Sequence, residues 1–227
     1  MRSILPADVR RRRVVGGLAL VAVGTAVLTS CGSSEDGRSS AATSAASPRA
    51  AESGVLRPDR PLPKPRLVLT DENGDRFDLV ERTKGRPTLL YFGYTHCPDV
   101  CPTTMADVAN AVRTLPAAER TKFSVVFVTT DPARDKPKRL KDWLAAFDAR
   151  FVGLTGDFAS VRRAARTVGV SIEPPVKSAD GGYTVSHGAE VLAFFPTDDK
   201  AHLIFTAGVP ARQYAAALPE ILKGGTA

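Results

Sequence analysis

The sequence predicts an α/β sandwich built around a mixed central sheet. Three observations carry that expectation. Thr88-Leu-Leu-Tyr-Phe92 and Phe123-Ser-Val-Val-Phe-Val-Thr129 are short, nearly continuous apolar runs, the pattern of strands buried on both faces. Each leads into a stretch with apolar residues at helical spacing. The order then changes to a series of strands and a closing helix, which adds antiparallel strands to a parallel centre.

Residues 1–30 read as an export signal and not as part of the fold. Arg10-Arg11-Arg12-Arg13 supplies a positive start, and Val14–Leu28 is an uncharged, mostly apolar stretch of fifteen residues. That is long enough for a signal core and short for a membrane span. Leu28-Thr29-Ser30-Cys31-Gly32 resembles the lipobox of bacterial lipoproteins. The resemblance implies that Cys31 takes lipid on its sulfur and becomes the first mature residue, which would anchor the protein to the extracytoplasmic face of the membrane. The alternatives are an ordinary secretory peptide or an uncleaved anchor, and the Arg run before Val14-Val15 also admits twin-arginine export.

Residues 31–65 are rich in Ser, Ala, Gly, Arg and Pro. Such a segment cannot bury enough apolar surface to offset its ordering entropy. It reads as a flexible tether with a root-mean-square reach of roughly 30 Å. Residues 66–227 are left as one domain, long enough for its own core. The net charge of +7 belongs largely to the signal, and removing residues 1–30 leaves 26 basic against 23 acidic residues. With no basic patch interleaved with aromatics, nucleic acid is not an expected partner.

Within the domain, Arg66–Thr70 and Arg76–Val80 flank Asn73-Gly74, whose tolerance of positive φ predicts an N-terminal hairpin. The buried strand Thr88–Phe92 is followed by a helix from about Pro102 to Leu115. Strand Phe123–Thr129 is followed by a helix from Lys138 to Phe147, and strand Phe151–Leu154 by a helix from Phe158 to Val168 that stops at Gly169. Tyr183–His187, Val191–Phe195 and Leu203–Phe205 are expected as antiparallel strands. Ala211–Leu222 closes the chain as a helix that Pro219 bends or shortens.

Beyond Cys31, the chain's only cysteines are Cys97 and Cys101, with three residues between them in Tyr91-Phe-Gly-Tyr-Thr-His-Cys-Pro-Asp-Val-Cys-Pro102. They fall where the first central strand hands over to its helix, at the strand ends where open α/β sheets bind ligands. Each cysteine precedes a proline, which disfavours helical geometry for it. Pro102 is therefore expected at the first helical position with Cys101 as the cap. Both sulfurs would then sit at the positive end of a helix, a setting that favours thiolate. Such a pair could bind a soft metal, exchange disulfides or act as a structural staple. The staple is the weakest use, since so short a loop is worth roughly 2 kcal/mol.

The chain resembles the Sco/SenC family of thioredoxin-like copper proteins. The matching residues are Phe92-Gly-Tyr-Thr-His-Cys-Pro-Asp-Val-Cys-Pro-Thr103, Thr130-Asp-Pro-Ala-Arg-Asp-Lys-Pro137 and Tyr183-Thr-Val-Ser-His187, within about residues 66–222. The resemblance implies a thioredoxin-like sandwich with an N-terminal hairpin and a further hairpin insertion. It also implies a copper site made of Cys97, Cys101 and His187. The family's role is to deliver copper, as Cu(I) or Cu(II), to the binuclear centre of cytochrome c oxidase, or to reduce that centre's cysteines, or both. The implied partners are the copper-bearing oxidase subunit or another copper chaperone. Two thiolates and an imidazole suit copper chemically, because soft sulfur selects against Mg, Ca and Mn, although less against zinc.

Ser186 and Gly188 flank His187 where the family usually has an acidic residue and a small hydroxyl, which leaves open what orients the imidazole. Lys136 replaces a common Thr. Asp131 and Arg134 are expected to shape the site without binding metal. His96 is expected to point away along the loop, His202 to lie at a surface edge, and Asp99 to be a solvated turn residue or a tuner of the thiols. Whether the chain is an enzyme stays open between a carrier and a thiol–disulfide oxidoreductase. Ordinary thioredoxins use two intervening residues and a cis-proline before a late strand, where this chain has Ala189-Glu190. A thiol peroxidase would need a Thr/Cys/Arg arrangement that is not identifiable.

Overall fold

The computed structural model describes residues 54–177 and 182–225. The export signal, Cys31 and most of the tether lie outside them. No helix among the described residues is long and apolar enough to cross a membrane.

The expected sandwich is present. Strand β5 (Thr88–Gly93) is buried at every residue and pairs in parallel with β6 (Ser124–Thr129), which pairs in parallel with β7 (Val152–Leu154). On the other side of β5 lies β10 (Val191–Phe194), antiparallel, and then β11 (Lys200–Phe205). Alternate residues of each strand serve opposite faces. Leu89, Tyr91 and Phe127 enter one apolar cluster, and Leu90, Phe92, Val126 and Val128 enter the other.

Helices α2 (Val100–Arg113), α4 (Pro137–Ala145) and α6 (Ala211–Lys223) cover the first face. The second face is covered by α5 (Phe158–Thr167) and by the hairpin of β3 (Val68–Thr70) and β4 (Arg76–Asp78). A single turn, α3 (Ala117–Arg120), connects α2 to β6.

Several expectations need correction. The tether does not reach residue 65: β1 (Val55–Leu56) and β2 (Leu62–Pro63) both pair with β11 and extend the sheet to seven strands. These strands are two residues each, too short to show any alternation in a Pro-rich sequence. In the N-terminal hairpin only Gly74 takes a positive φ, +92°. The turn is closed by the Asp71 side chain, which accepts from Asn73 N and Asp75 N. The second strand stops at Asp78, whose carboxylate accepts from Val80 N and Glu81 N and caps helix α1 (Leu79–Thr83).

Tyr183–His187 is not a strand of the central sheet. Only β9 (Tyr183–Thr184) is extended, and it pairs with β8 (Val176–Lys177) in a separate hairpin, the additional hairpin the resemblance implied. Pro219 is accommodated within α6, which runs on to Lys223 and ends at Gly224 with φ +77°, a residue type suited to that left-handed cap.

Candidate metal centre

The site grows from the carboxyl ends of β5 and β6. Asp135, 0% exposed, ties those ends together. Its carboxylate accepts from Thr95 N at 2.9 Å, Thr95 Oγ1 at 2.6 Å and Thr129 Oγ1 at 2.6 Å. Arg139 Nε adds a bond to Thr95 Oγ1 at 2.9 Å. The chain leaving Gly93 is thereby fixed before it turns through Tyr94, whose carbonyl accepts from Cys97 N.

Helix α2 begins at Val100, two residues earlier than expected, so Cys101 lies in its first turn and not at its cap. Pro102 is tolerated there because the first-turn N–H groups have no intrahelical partner. Asp99 stands at the cap position without a side-chain bond to the helix. Cys97 Sγ does that work instead, accepting from Cys101 N at 3.4 Å.

The two sulfurs are accordingly unlike. Cys101 is 0% exposed, and burial pushes its thiol up to about 12 although Tyr91 donates to it. Burial also opposes ionisation of Cys97, but the backbone N–H groups of Cys101, Asp99 and Val100 more than offset it, and its thiol lies below the usual range. The expectation that both sulfurs favour thiolate thus holds for Cys97 alone. For Cys101 the apolar surroundings outweigh the helix end.

Two elements missed in the sequence frame the buried sulfur. Tyr91 Oη donates to Cys101 Sγ at 3.4 Å, and burial holds that phenol well above its ordinary value. A tyrosine on a fully buried strand needs a polar partner, which was the available clue. Tyr94 sets its ring edge-on to His187, with centroids 5.6 Å apart.

His187 arrives from 86 residues further along the chain and places Nε2 at 3.5 Å from Cys101 Sγ. Its other nitrogen, Nδ1, meets the carbonyl of Gly188 at 2.8 Å. That bond makes Nδ1 the protonated nitrogen and turns the Nε2 lone pair toward the sulfur. The doubt raised by Ser186 and Gly188 is answered by a backbone acceptor, which any residue at 188 would supply. Burial lowers the His187 pKa from its usual value, against the raising effect of the Gly188 carbonyl and the Glu190 carboxylate. The ring is therefore neutral, the form that binds metal.

The histidine segment is pinned at several points. Gly188 N donates to Ser171 O and Glu173 N to Ser186 O, and His187 bridges to Ile172. Upstream, Tyr183 Oη donates to Asp131 Oδ1 at 2.7 Å. Arg134 pairs with Asp131 Oδ2 and lies over the Tyr183 ring at 3.9 Å. Asp131 and Arg134 are thus clamps on the loop that carries the imidazole.

The remaining candidates stand apart. His96 faces Thr95 Oγ1 and Asp135, and His202 pairs with Asp198 and stacks on Phe195. Asp99 lines an adjacent cleft of about 370 Å³ between α2 and the segment before α6. The sulfur site opens into its own cleft of about 280 Å³, lined by Tyr94, Cys97, Val100, His187 and Ala189 among others.

Among the described residues, no three His, Cys, Asp or Glu side chains are already drawn into a closed ligand shell, and both cysteines are free thiols. The Cys101–His187 distance nevertheless fits a shared metal. Bonds of about 2.3 Å to sulfur and about 2.0 Å to nitrogen, taken from zinc sites, put such ligand atoms about 3.5–3.7 Å apart at tetrahedral to trigonal angles.

Residues 60–223 match the model of the SCO1/SenC family. The chain belongs to that family. As an SCO1/SenC member it is 37% identical over 145 residues to a Stutzerimonas stutzeri protein named for copper binding, covering 64% of this chain and 70% of that one. The solved structure of Bradyrhizobium japonicum ScoI with copper bound covers 71% of this chain and 99% of that one, at 33% identity and a TM-score of 0.62. BsSco, whose structure is described as showing a disulfide switch in a member of the Sco family of cytochrome c oxidase assembly proteins, is 23% identical with a TM-score of 0.58, covering 74% of this chain and 96% of that one, and shows the shared fold. The family match makes the mixed-sheet sandwich with its two added hairpins a thioredoxin-like fold. The matched region spans under half the length of several curated relatives, among them 46% of the mitochondrial SCO2 protein of Saccharomyces cerevisiae.

Proposed function

We propose that this SCO1/SenC protein is a membrane-tethered copper carrier on the extracytoplasmic face of the cell membrane. It takes copper on Cys97, Cys101 and His187 and passes it to the copper-bearing subunit of cytochrome c oxidase or to another copper chaperone. The observation that carries this reading is the Cys101 Sγ–His187 Nε2 approach of 3.5 Å, with the imidazole held neutral and its lone pair toward the sulfur. Copper-bound relatives support the choice of metal. Three protein ligands leave room for a fourth from an acceptor, so that transfer proceeds by ligand exchange. An acceptor thiol loses its proton to solvent, its thiolate bonds the metal, and a ligand of this chain departs. The lipid on Cys31 would keep the domain within a tether's reach of membrane-bound acceptors.

The test is anaerobic addition of Cu(I) to the reduced protein, followed by metal analysis and chelator competition. One tightly held equivalent is expected. His187→Ala should lose most of the affinity, more than about 100-fold, since even the outer partners of a ligand are worth roughly 10–100-fold. The same variant should still form a Cys97–Cys101 disulfide reversibly. A wild-type protein that retains no copper removes the carrier reading.

The unequal thiols favour a second activity, reduction of an acceptor's disulfide. Cys97 thiolate would attack one acceptor sulfur to give a mixed disulfide, and Cys101 would then resolve it. The two electrons leave as this chain's own disulfide forms, and the acceptor is released as a dithiol. His187→Ala would leave that activity intact, which separates the two readings.

A further inference from the structure

The end of the sheet remote from the sulfurs carries a second cluster of chemistry. A cleft of about 380 Å³ opens at the amino ends of β5, β6 and β7, floored by Phe77, Phe123 and Val152 and ringed by Arg82, Arg86, Arg120 and Arg150. Strand direction places it opposite the metal centre, because β5–β7 run in parallel from this cleft toward Gly93 and Thr129.

The four guanidinium groups are held in different ways. Arg86 is fixed by bonds from Nε to Ser124 Oγ at 2.9 Å and from Nη2 to Thr121 O at 2.8 Å. Arg82 lies over the Phe77 ring at 5.5 Å. Arg150 pairs with Asp148, and among the described residues that is the only carboxylate within ion-pair range of the four. Arg120 Nε is buried with no hydrogen-bond partner. Arg120 as a whole is half-buried, but an N–H taken out of water without an acceptor is unfavourable, and like charges converging on one cleft add to the cost. An oxyanion in the cleft relieves both, because the guanidinium fork matches the geometry of phosphate oxygens.

We propose that Arg82, Arg86 and Arg120, with Arg150 at the rim, form a binding site for a phosphate-type oxyanion. The apolar floor leaves space for whatever the phosphate carries. Two sources share this chemistry, the phosphodiester of a lipid headgroup and free phosphate. The site is independent of the copper reading, since none of its residues touches the sulfur loop.

The experiment follows arginine Nε–H signals by NMR in residues 54–227, whose described part packs its own core on both faces of the sheet. Inorganic phosphate and glycerophosphoglycerol, a soluble phosphodiester with a lipid's headgroup, are titrated separately at about 0.15 M ionic strength, where weak surface attraction is largely screened. A saturable shift of Arg86 and Arg120 signals is expected, while the exposed Arg76 stays unmoved. Saturation by the diester at equal or lower concentration assigns a lipid headgroup, and saturation by inorganic phosphate alone assigns the free ion. Arg120→Gln should weaken binding about tenfold, equivalent to about 1.4 kcal/mol. Arg86→Gln, at an exposed position, should do the same and serves if Arg120→Gln fails to fold. No saturable shift with either probe, or binding unchanged in the folded variants, overturns the proposal.

Discussion

Replacing Gly93 by alanine tests how tightly the end of β5 holds the buried sulfur. A Cβ at this position would lie 2.9 Å from Phe127 Cε2, 2.9 Å from Tyr91 Cε1 and 3.1 Å from Cys101 Sγ. Comfortable carbon contacts are about 3.5–4.0 Å, so each neighbour must yield by about half an ångström or more. None can swing into solvent, since Tyr91 is 1% exposed and Phe127 and Cys101 are 0% exposed. Overpacking of this kind costs about 1–3 kcal/mol. At about 2–4 °C per kcal/mol for a domain of this size, the melting temperature should fall by roughly 2–12 °C. The same contact pushes Cys101 Sγ off its place, and a displacement of about 0.5 Å reaches the tolerance of a binding constellation. Copper affinity should therefore fall with stability, by about tenfold for each 1.4 kcal/mol lost at the site. Circular dichroism melts of the reduced apo protein and competition for Cu(I) against a chromophoric chelator measure the two effects. An alanine variant that melts with the wild type and holds copper as tightly would refute the reasoning, because the sulfur's position would then be set elsewhere.

Three further outcomes are expected. Asp131→Asn removes the charge that holds Arg134 and weakens the bond from Tyr183. Because Arg134 is partly exposed, the loss in urea denaturation should be about 1–3 kcal/mol, less than for a fully buried pair, and copper affinity should drop by less than in His187→Ala. The reduced protein should lose stability between pH 9, the ordinary thiol value, and about 12, the value of Cys101 in the fold. Across that window the unfolded chain has released a proton that the folded chain keeps, so the contribution is whole below the window and declines by up to about 1.4 kcal/mol per pH unit within it. Lys64, whose ammonium burial holds below its usual value, works in the opposite direction; the readout is therefore the comparison with Cys101→Ser, which should show a shallower alkaline decline, and equal slopes would count against the buried thiol. Finally, in stopped-flow transfer of copper to a small thiol, Cys101→Ser should release metal at least about tenfold faster than Cys97→Ser, and equal rates would remove the order of release argued below.

What the sequence disclosed and what it hid follow from the range of the interactions. Central strands β5 and β6 were legible because burial on both faces leaves an unbroken apolar run, and the helices because their apolar stripes are local. Strands β1 and β2 were not, since pairing of Leu56 with Ile204 or Leu62 with Ala201 is a non-local fact expressed in two residues at a time. The start of α2 was misplaced by trusting the local rule for residues before proline, which the bond from Cys101 N to Cys97 Sγ overrides. The cysteine pair announced itself by spacing. His187 did not; only the family resemblance singled it out, because nothing in a lone histidine reveals a partner 86 residues away. Asp135 was visible only as one charge in a loop, and its three bonds to Thr95 and Thr129 exist only once β5 and β6 lie side by side.

On the carrier reading, the inequality of the sulfurs orders the handover. Among the described residues, the cleft beside Tyr94 and Val100 gives an incoming thiolate access to the site, with half-buried Cys97 and His187 on its lining. Whichever ligand departs must be stable once the metal has gone. Cys97 meets that condition, because the first N–H groups of α2 receive its sulfur as an anion, and His187 meets it as a neutral ring bonded to Gly188. Cys101 does not: without metal or proton its charge would sit among Tyr91, Phe127 and the first turn of α2, where burial disfavours it. Cys101 is then the ligand that keeps copper until the acceptor's bonds have formed, and a proton must reach it as the metal leaves. The same burial makes it a poor nucleophile toward outside disulfides, so in either activity the acceptor meets Cys97 first.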